Sequence, residues 1–458
     1  MVFPRCRRLA AALISGALAI FSQPARADAP SPEKDEHKAD PLEVRGIEEP
    51  PRYSDDAARS VGNWILFLPR NLVDYTFRGT ELAANLVADR QLVPRYREIL
   101  GKPGVDLFVF PTLFAETGAA ASIGLRMVFD SPRFATSQRI GYGGPRQVEV
   151  DSRVVFKGRS ARLPLLISFE AYYKLQDNRE YHGIGIAPRL DARNHFREGK
   201  LDDFGFYTER RARAIGSLGL RLTNDLEFFL STSVYRRQIR PTESKEDRSI
   251  EAVFDPRSIA GLGNHNPWMF YSEIAARFDT RVIRTRPSPG VLLEGYLGGG
   301  HSLYGASVGY MRMGTRVAGY IPLYRRSNIL SPRLVLDRVQ PLNGLDLPFY
   351  ELARQPDYRG YDYRTDFVSI VASVDYTWQL VPAIGMRVFF DAATVAPGVT
   401  HISLEQFKHL RYAGGVGIDL YAGKSTLANI ALSASSDGVR VVGNIGNTSS
   451  YGDRQHRD

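Results

Sequence analysis

One pentapeptide in the 458-residue chain has the spacing of a hydrolase nucleophile: Gly305-Ala306-Ser307-Val308-Gly309. Gly298-Gly299-Gly300-His301, just upstream, has the composition of an oxyanion loop. That chemistry needs the serine on a sharp strand-to-helix turn. Ser307 falls instead in an alternating pattern, with Tyr304, Ala306, Val308 and Tyr310 on one face and Ser307, Met311 and Met313 on the other. An uninterrupted strand offers no elbow, so a lipase centred on Ser307 is the weakest reading. The eight histidines show no metal spacing; His401 and His409 are eight apart, and no H-x-x-x-H or H-E-x-x-H occurs. The carboxylates of Asp106 with Glu116, and of Asp202 with Asp203, read as solvated loop charge. No glycine-rich loop opens a helix, so no nucleotide site is expected. No cofactor and no catalytic residue is assigned.

Other residues speak of compartment. Arg5, Arg7 and Arg8 precede the apolar run Leu9 to Phe21, which is too short to cross a bilayer, and Ala25-Arg26-Ala27 follows. This is the pattern of a secretory signal peptide over 1–27. The single cysteine, Cys6, lies within it, so the mature chain carries no thiol for a disulfide or a metal. Cleavage removes four arginines, leaving 55 basic against 50 acidic residues, and the formal charge falls from +9 to +5. The arginines are scattered rather than gathered on one face, which argues against nucleic acid as a partner.

The elements that must position these residues change along the chain. Residues 28–56 are rich in Pro, Glu, Asp and Lys and read as a disordered linker. Over 57–100, Trp64, Phe67, Leu72, Val73, Phe77, Leu82 and Leu86 recur at mixed helical spacing, and Pro69 breaks the run. Two helices are expected, over about 57–68 and 70–90. Their apolar faces need a partner, either a membrane interface or the mouth of the domain C-terminal to them.

From residue 106 the period is two. Along 367–380, Val368, Ile370, Ala372, Val374, Tyr376 and Trp378 point one way; Ser369, Ser373, Asp375, Thr377 and Gln379 point the other, with Val371 the exception. Residues 165–175 and 211–222 alternate alike. The polar set mixes Ser, Thr, Arg, Asp and Tyr, as a wet lumen would. Strands are expected at about 106–114, 118–130, 133–143, 146–157, 161–175, 206–222, 225–239, 267–281, 288–299, 303–323, 328–340, 366–380, 383–395, 410–422, 425–435 and 438–449. Short turns such as Thr223-Asn224-Asp225 alternate with long connections at 176–205, 240–266 and 341–365. The mean hydropathy of −0.24 excludes a bundle of membrane helices but not a barrel, whose lumen residues cancel its outer ones. The fold class expected is all-β: a transmembrane antiparallel barrel of about 16 strands over 106–451, preceded by a short helical segment and followed by a polar tail, 452–458.

Within the third long connection the chain reads Tyr358-Arg359-Gly360-Tyr361. Arg-Gly-aromatic in a long loop before a strand resembles the signature of the BamA/TamA superfamily of outer-membrane assembly barrels, the bacterial surface antigen family. The next strand carries Ser373-Val374-Asp375-Tyr376, and the one after it Phe389-Phe390-Asp391, in the order the family shows. Tyr181-His182-Gly183-Ile184-Gly185 and Ser435-Ser436-Asp437-Gly438 are similar to two further family elements. The resemblance covers roughly 106–451. It implies that the loop folds into the lumen and that the barrel acts in membrane biogenesis or in export of protein or lipid. It also implies opening between the first and last strands.

The residues support the placement independently. Asp375 and Asp391 lie on polar strand faces, and a guanidinium in a narrow lumen needs carboxylates to offset lost hydration. Arg359, Gly360, Tyr361, Asp375 and Asp391 are therefore the expected loop-lumen motif. No strand periodicity marks POTRA domains before the barrel, so the chain resembles the family's short members. The expected partners are outer-membrane lipid and client proteins or lipids, around a monomeric barrel. A passive or selective pore is the alternative function.

Overall fold

The computed structural model describes residues 106–445, except 115–121, 132–133, 158–164, 200–201, 244–247, 264–265, 285, 305–307, 324–327, 343–346, 356, 362–363, 382–383, 402–408 and 423–424. The signal, linker, helical-segment and tail expectations, 1–27, 28–56, 57–100 and 452–458, lie outside the described residues.

Sixteen strands succeed one another: β1 (Asp106–Phe114), β2 (Ser122–Asp130), β3 (Phe134–Gly144), β4 (Gln147–Lys157), β5 (Leu165–Tyr181), β6 (Gly205–Arg221), β7 (Leu226–Pro241) and β8 (Met269–Asp279). The second half is β9 (Gly290–Ser302), β10 (Gly309–Pro322), β11 (Asn328–Pro341), β12 (Val368–Val381), β13 (Ile384–Ala396), β14 (Arg411–Ala422), β15 (Ser425–Ser435) and β16 (Gly438–Ile445). Each strand pairs with the next in one sheet, and the ladders are antiparallel. Among the described residues no ladder joins β16 back to β1. The protein is an all-β transmembrane barrel. Among the described residues no helix is long and apolar enough to cross a membrane; the strands do the crossing, because pairing each strand with its neighbour satisfies backbone groups within the wall.

The period of two decides which side chain faces which medium. On β5, Ser168 and Glu170 are buried in the lumen while Phe169 is 55 % exposed on the outside. On β12, Ser369, Ser373 and Thr377 face inward with Val371, while Val374 faces out.

The structure redraws several strand ends. β5 runs on to Tyr181, because a bulge between Gln176 and Arg179, with Asn178 at φ 59°, breaks the alternation and then resumes it. β9 continues through Gly298-Gly299-Gly300 to Ser302. The glycines hide its period, yet they are what lets the lumen aromatics lie flat. A Cβ at Gly300 would come within 2.6 Å of the Tyr310 ring, and Tyr310 stacks on Tyr271 with centroids 6.0 Å apart. The expectation of one strand over 303–323 is corrected. Ser302, the last residue of β9, donates its backbone N–H to the Val308 carbonyl (2.8 Å), and β10 begins at Gly309. Tyr310 faces the lumen, and Val308 is buried with it in the same core. Ser307 itself lies outside the described residues.

At the end that carries the long connections, the lumen is filled by an apolar core. Tyr181, Tyr207, Tyr235, Ile239 and Tyr310 on the strands pack against Ile250, Val253 and Phe254 of the 242–268 loop and Leu347, Phe349, Tyr350 and Leu352 of the 342–367 loop. The 182–204 loop joins them through Phe196, whose ring lies 4.5 Å from that of Phe254.

Candidate functional site: a loop held inside the barrel

The 342–367 connection enters the lumen and touches the wall at two levels. The upper level begins with the short turn Phe349–Glu351. The Phe349 N–H donates to the Ala260 carbonyl (3.1 Å), and its ring lies 4.7 Å from Tyr181 and 5.5 Å from Tyr207. The Tyr310 hydroxyl donates to Glu351 (2.9 Å), and Arg237 donates to the Tyr350 carbonyl (3.2 Å). Where the loop returns, Asp366, fully buried, accepts two bonds of 2.8 Å from Arg193 of the 182–204 loop. The Asp366 carboxylate holds the Arg193 guanidinium above the ordinary arginine value. Burial opposes this and Asp191 reinforces it. Gly185, at φ 90°, donates to the Thr365 carbonyl (2.9 Å). The Tyr181–Gly185 segment thus opens a loop that closes over the 342–367 connection.

The lower level is the loop tip. The backbone N–H of Arg359 donates to Asp391 (3.0 Å), its Nε donates to Asp391 (2.9 Å), and Nη2 reaches Asp375 and the second Asp391 oxygen at 2.5 Å each. Cross-strand register explains the pincer: Ser373 faces Asp391 and Asp375 faces Phe389 across β12 and β13, so the two carboxylates sit diagonally. The guanidinium carbon lies 3.7 Å above the Phe389 ring. Gly415 on β14 makes room for that ring, since a Cβ there would meet it at 2.6 Å. Burial works against the Arg359 charge, and the two carboxylates outweigh it, holding the group above the ordinary arginine value.

The pincer belongs to a longer row of charge. Arg387 bridges Asp375 (3.7 Å) and Asp419 (2.9 Å) along the lumen face of β12 to β14. On the other side of the tip, Asp357 accepts two bonds of 2.9 Å from Arg316 of β10. Between them the Tyr358 ring is buried among Val335, Val371, Ala393 and Ala413, so Val371, the apolar exception on its polar face, is the seat of that ring. Gly360 comes next because the ring folds back over it: a Cβ at Gly360 would stand 2.5 Å from three Tyr358 atoms.

The tip also reaches the last strand. Arg440 of β16 donates to the Gly360 carbonyl (2.6 Å), and the Tyr361 hydroxyl donates to the Val439 carbonyl (3.2 Å). Arg411 of β14 donates to the Tyr361 carbonyl (3.0 Å) and pairs with Asp437 in the β15–β16 hairpin.

The structure thus brings Arg359, Gly360, Tyr361, Asp375 and Asp391 to one place. Motif and periodicity alone did not single out Asp357, Tyr358, Arg387, Asp419, Glu351, Asp366 or Arg193. Arg387 and Asp419 carried a usable signal, being on the same alternating faces as Asp375 and Asp391; the loop residues carried none. Among the described residues, no three His, Cys, Asp or Glu side chains converge as a metal site. What the arrangement can do is mechanical and electrostatic: it holds a long loop across the lumen by charge-assisted bonds that are strong only while water is kept out.

A sixteen-stranded wall with a long loop bonded to its lumen face defines an outer-membrane barrel. Residues 167–432, more than half of the chain, match the Omp85 superfamily domain. The chain belongs to the Omp85 superfamily, outer-membrane barrels that serve assembly and transport at that membrane. Similar solved structures include BamA from Haemophilus ducreyi lacking POTRA domains 1–3, at 14 % identity and a TM-score of 0.48, over 75 % of this chain and 70 % of that one. CdiB from Acinetobacter baumannii is similar at 9 % identity and a TM-score of 0.43, over 74 % of this chain and 59 % of that one. No curated protein matches in sequence.

Proposed function

We propose that this protein moves or inserts protein or lipid at the outer membrane, without catalysing a reaction, and that the 342–367 loop is the part that gates it. The observation that carries the reading is that one short segment, Asp357 to Tyr361, is bonded to the fixed wall at β10, β12 and β13 and also to β16. A passive pore needs only the first kind of contact. Bonds to the terminal strand couple the loop to the strand whose release would open the wall towards lipid. The chain is exported by a signal peptide removed after Ala27, and the barrel works as a monomer with client proteins or lipids as its partners.

The test is depletion in the native cell, with an inventory of outer-membrane proteins and lipids as the readout. The reading expects a defined subset to be lost or mislocated while solute uptake stays normal. An unchanged inventory with reduced solute uptake would favour the passive pore. Phospholipid hydrolysis by the purified chain that disappears in Ser307→Ala would revive the lipase.

A further inference from the structure

The end of the wall away from the long connections is made of short turns, such as 222–225 between β6 and β7 and 382–383 between β12 and β13. Short turns mark the periplasmic end of an outer-membrane barrel. The connection between β8 and β9, 280–289, is the longest at that end. The hairpin is already closed at its base: the Thr280 N–H donates to the Val291 carbonyl (3.0 Å), and the Val291 N–H donates to the Thr280 hydroxyl (2.9 Å). The residues between are length that a turn does not need. The described ones are tied to one another. The buried Ser288 hydroxyl accepts from the Ile283 N–H (2.9 Å) and donates to the Ile283 carbonyl (2.8 Å). Gly290, at φ 146°, lets the chain return against Arg281, whose backbone a Cβ would meet at 2.8 Å.

This connection is anchored on two distant parts of the wall. On its own side, Arg284 donates to Glu227 of β7 (2.6 Å) and to the Asn224 carbonyl of the β6–β7 turn. On the other, the Arg286 guanidinium lies over the ring of Tyr421, a lumen residue of β14, 6.0 Å from its centre. β14 stands five strands on from β9. At about 4.8 Å per strand that is about 24 Å along the wall, several times the length of an arginine side chain. The connection therefore reaches Tyr421 by leaning across the mouth. Tyr421 is also the foot of a row that climbs to the loop tip. Its hydroxyl donates to Asp419 (3.5 Å), Asp419 pairs with Arg387 (2.9 Å), Arg387 with Asp375 (3.7 Å), and Asp375 with Arg359. Each charge in the row is shared between neighbours, so a shift at one end changes the partners left for the other.

We propose that the β8–β9 connection is a strap across the periplasmic mouth, and that Tyr421, Asp419, Arg387 and Asp375 couple it to the Arg359 tip. Displacing the strap from the periplasm then loosens the loop on the far side of the membrane. The inference rests on the reading of the 342–367 loop as a gate, and it gives that gate an input on the side from which an exported client arrives.

The test measures amide exchange in the full mature chain in phosphatidylcholine nanodiscs. Heat-modifiability on gels checks that every variant is folded. Arg286→Ala should speed exchange in 281–289 and also in 357–361, each by about fivefold, the effect of losing one cation–π contact. Tyr421→Phe keeps the ring beneath Arg286 and removes the bond to Asp419. It should leave 281–289 as in the wild type and speed 357–361 by about threefold. Arg359→Ala should speed 281–289, because coupling between two sites is reciprocal. Arg338→Gln, on β11 and outside the row, should change neither segment. Faster exchange in Arg286→Ala that stays within 281–289, or wild-type exchange at 357–361 in Tyr421→Phe, would overturn the coupling. An equal effect of Arg338→Gln would overturn it too. No client is present in this measurement. An unchanged inventory on depletion would therefore overturn the proposed function and leave the strap standing, and uncoupled exchange beside an altered inventory would do the reverse.

Discussion

The 342–367 loop is held by two different kinds of chemistry. At the upper level Phe349, Tyr350 and Leu352 pack into an aromatic core shared with two other loops, so what holds the chain is apolar area and shape. At the tip, Arg359 meets Asp375 and Asp391 on the bare strand wall, and the hold is charge in a confined space. Apolar packing weakens gradually and involves many neighbours. A buried ion pair is close to all or nothing, because leaving one partner unpaired costs more than the pair contributes. A loop built this way can release its tip while its base stays folded, a sensible division for a gate.

The largest effect should come from the upper level. Phe349→Ala empties a site among Tyr181, Tyr207 and Tyr350 and should cost about 3–5 kcal/mol of local stability. Because the core is shared, amide exchange should rise in all three long loops, 182–204, 242–268 and 342–367. Exchange confined to the third would erase the distinction between the two levels.

A smaller effect is expected from Gly360→Ala. The added methyl displaces the Tyr358 ring from its seat on Val371 and Ala393, at a cost of about 1–3 kcal/mol. Protease cleavage should increase near the tip and nowhere else. If cleavage also rises in the 182–204 loop, tip and base move together.

How far the sequence could be read follows the same division. Strand alternation and motif order were enough to set the wall and to place Asp375 and Asp391 on a common lumen, because a strand's period assigns each residue a side. Loops have no such period. Glu351 and Asp366 look like ordinary solvated acids in the sequence, and nothing near them points to Tyr310 or to Arg193, 173 residues away. The same limit applied inside strands wherever the period lapsed: at the Gln176–Arg179 bulge, and at Gly298 to Gly300.

The smallest effect should come from Tyr361→Phe. It removes one hydroxyl bond to the Val439 carbonyl, worth about 0.5–1.5 kcal/mol. Spin labels on the outer face of β16 should gain mobility while cleavage at 342–367 stays unchanged. A more cleavable loop with an unchanged β16 would mean that Tyr361 serves the plug rather than the last strand.

The central claim, that the Arg359 pincer closes the lumen, is tested most directly by a double-mutant cycle read as conductance in planar bilayers. Arg359→Ala and Asp391→Ala should each give larger, noisier openings, because each leaves the other charge unpaired at a cost of about 3–5 kcal/mol. The double variant should be little worse than either single one, since the two residues act as a unit. Fully additive effects, or openings indistinguishable from wild type in all three variants, would show that Arg359 does not hold the loop and that the lumen is closed by the aromatic core alone.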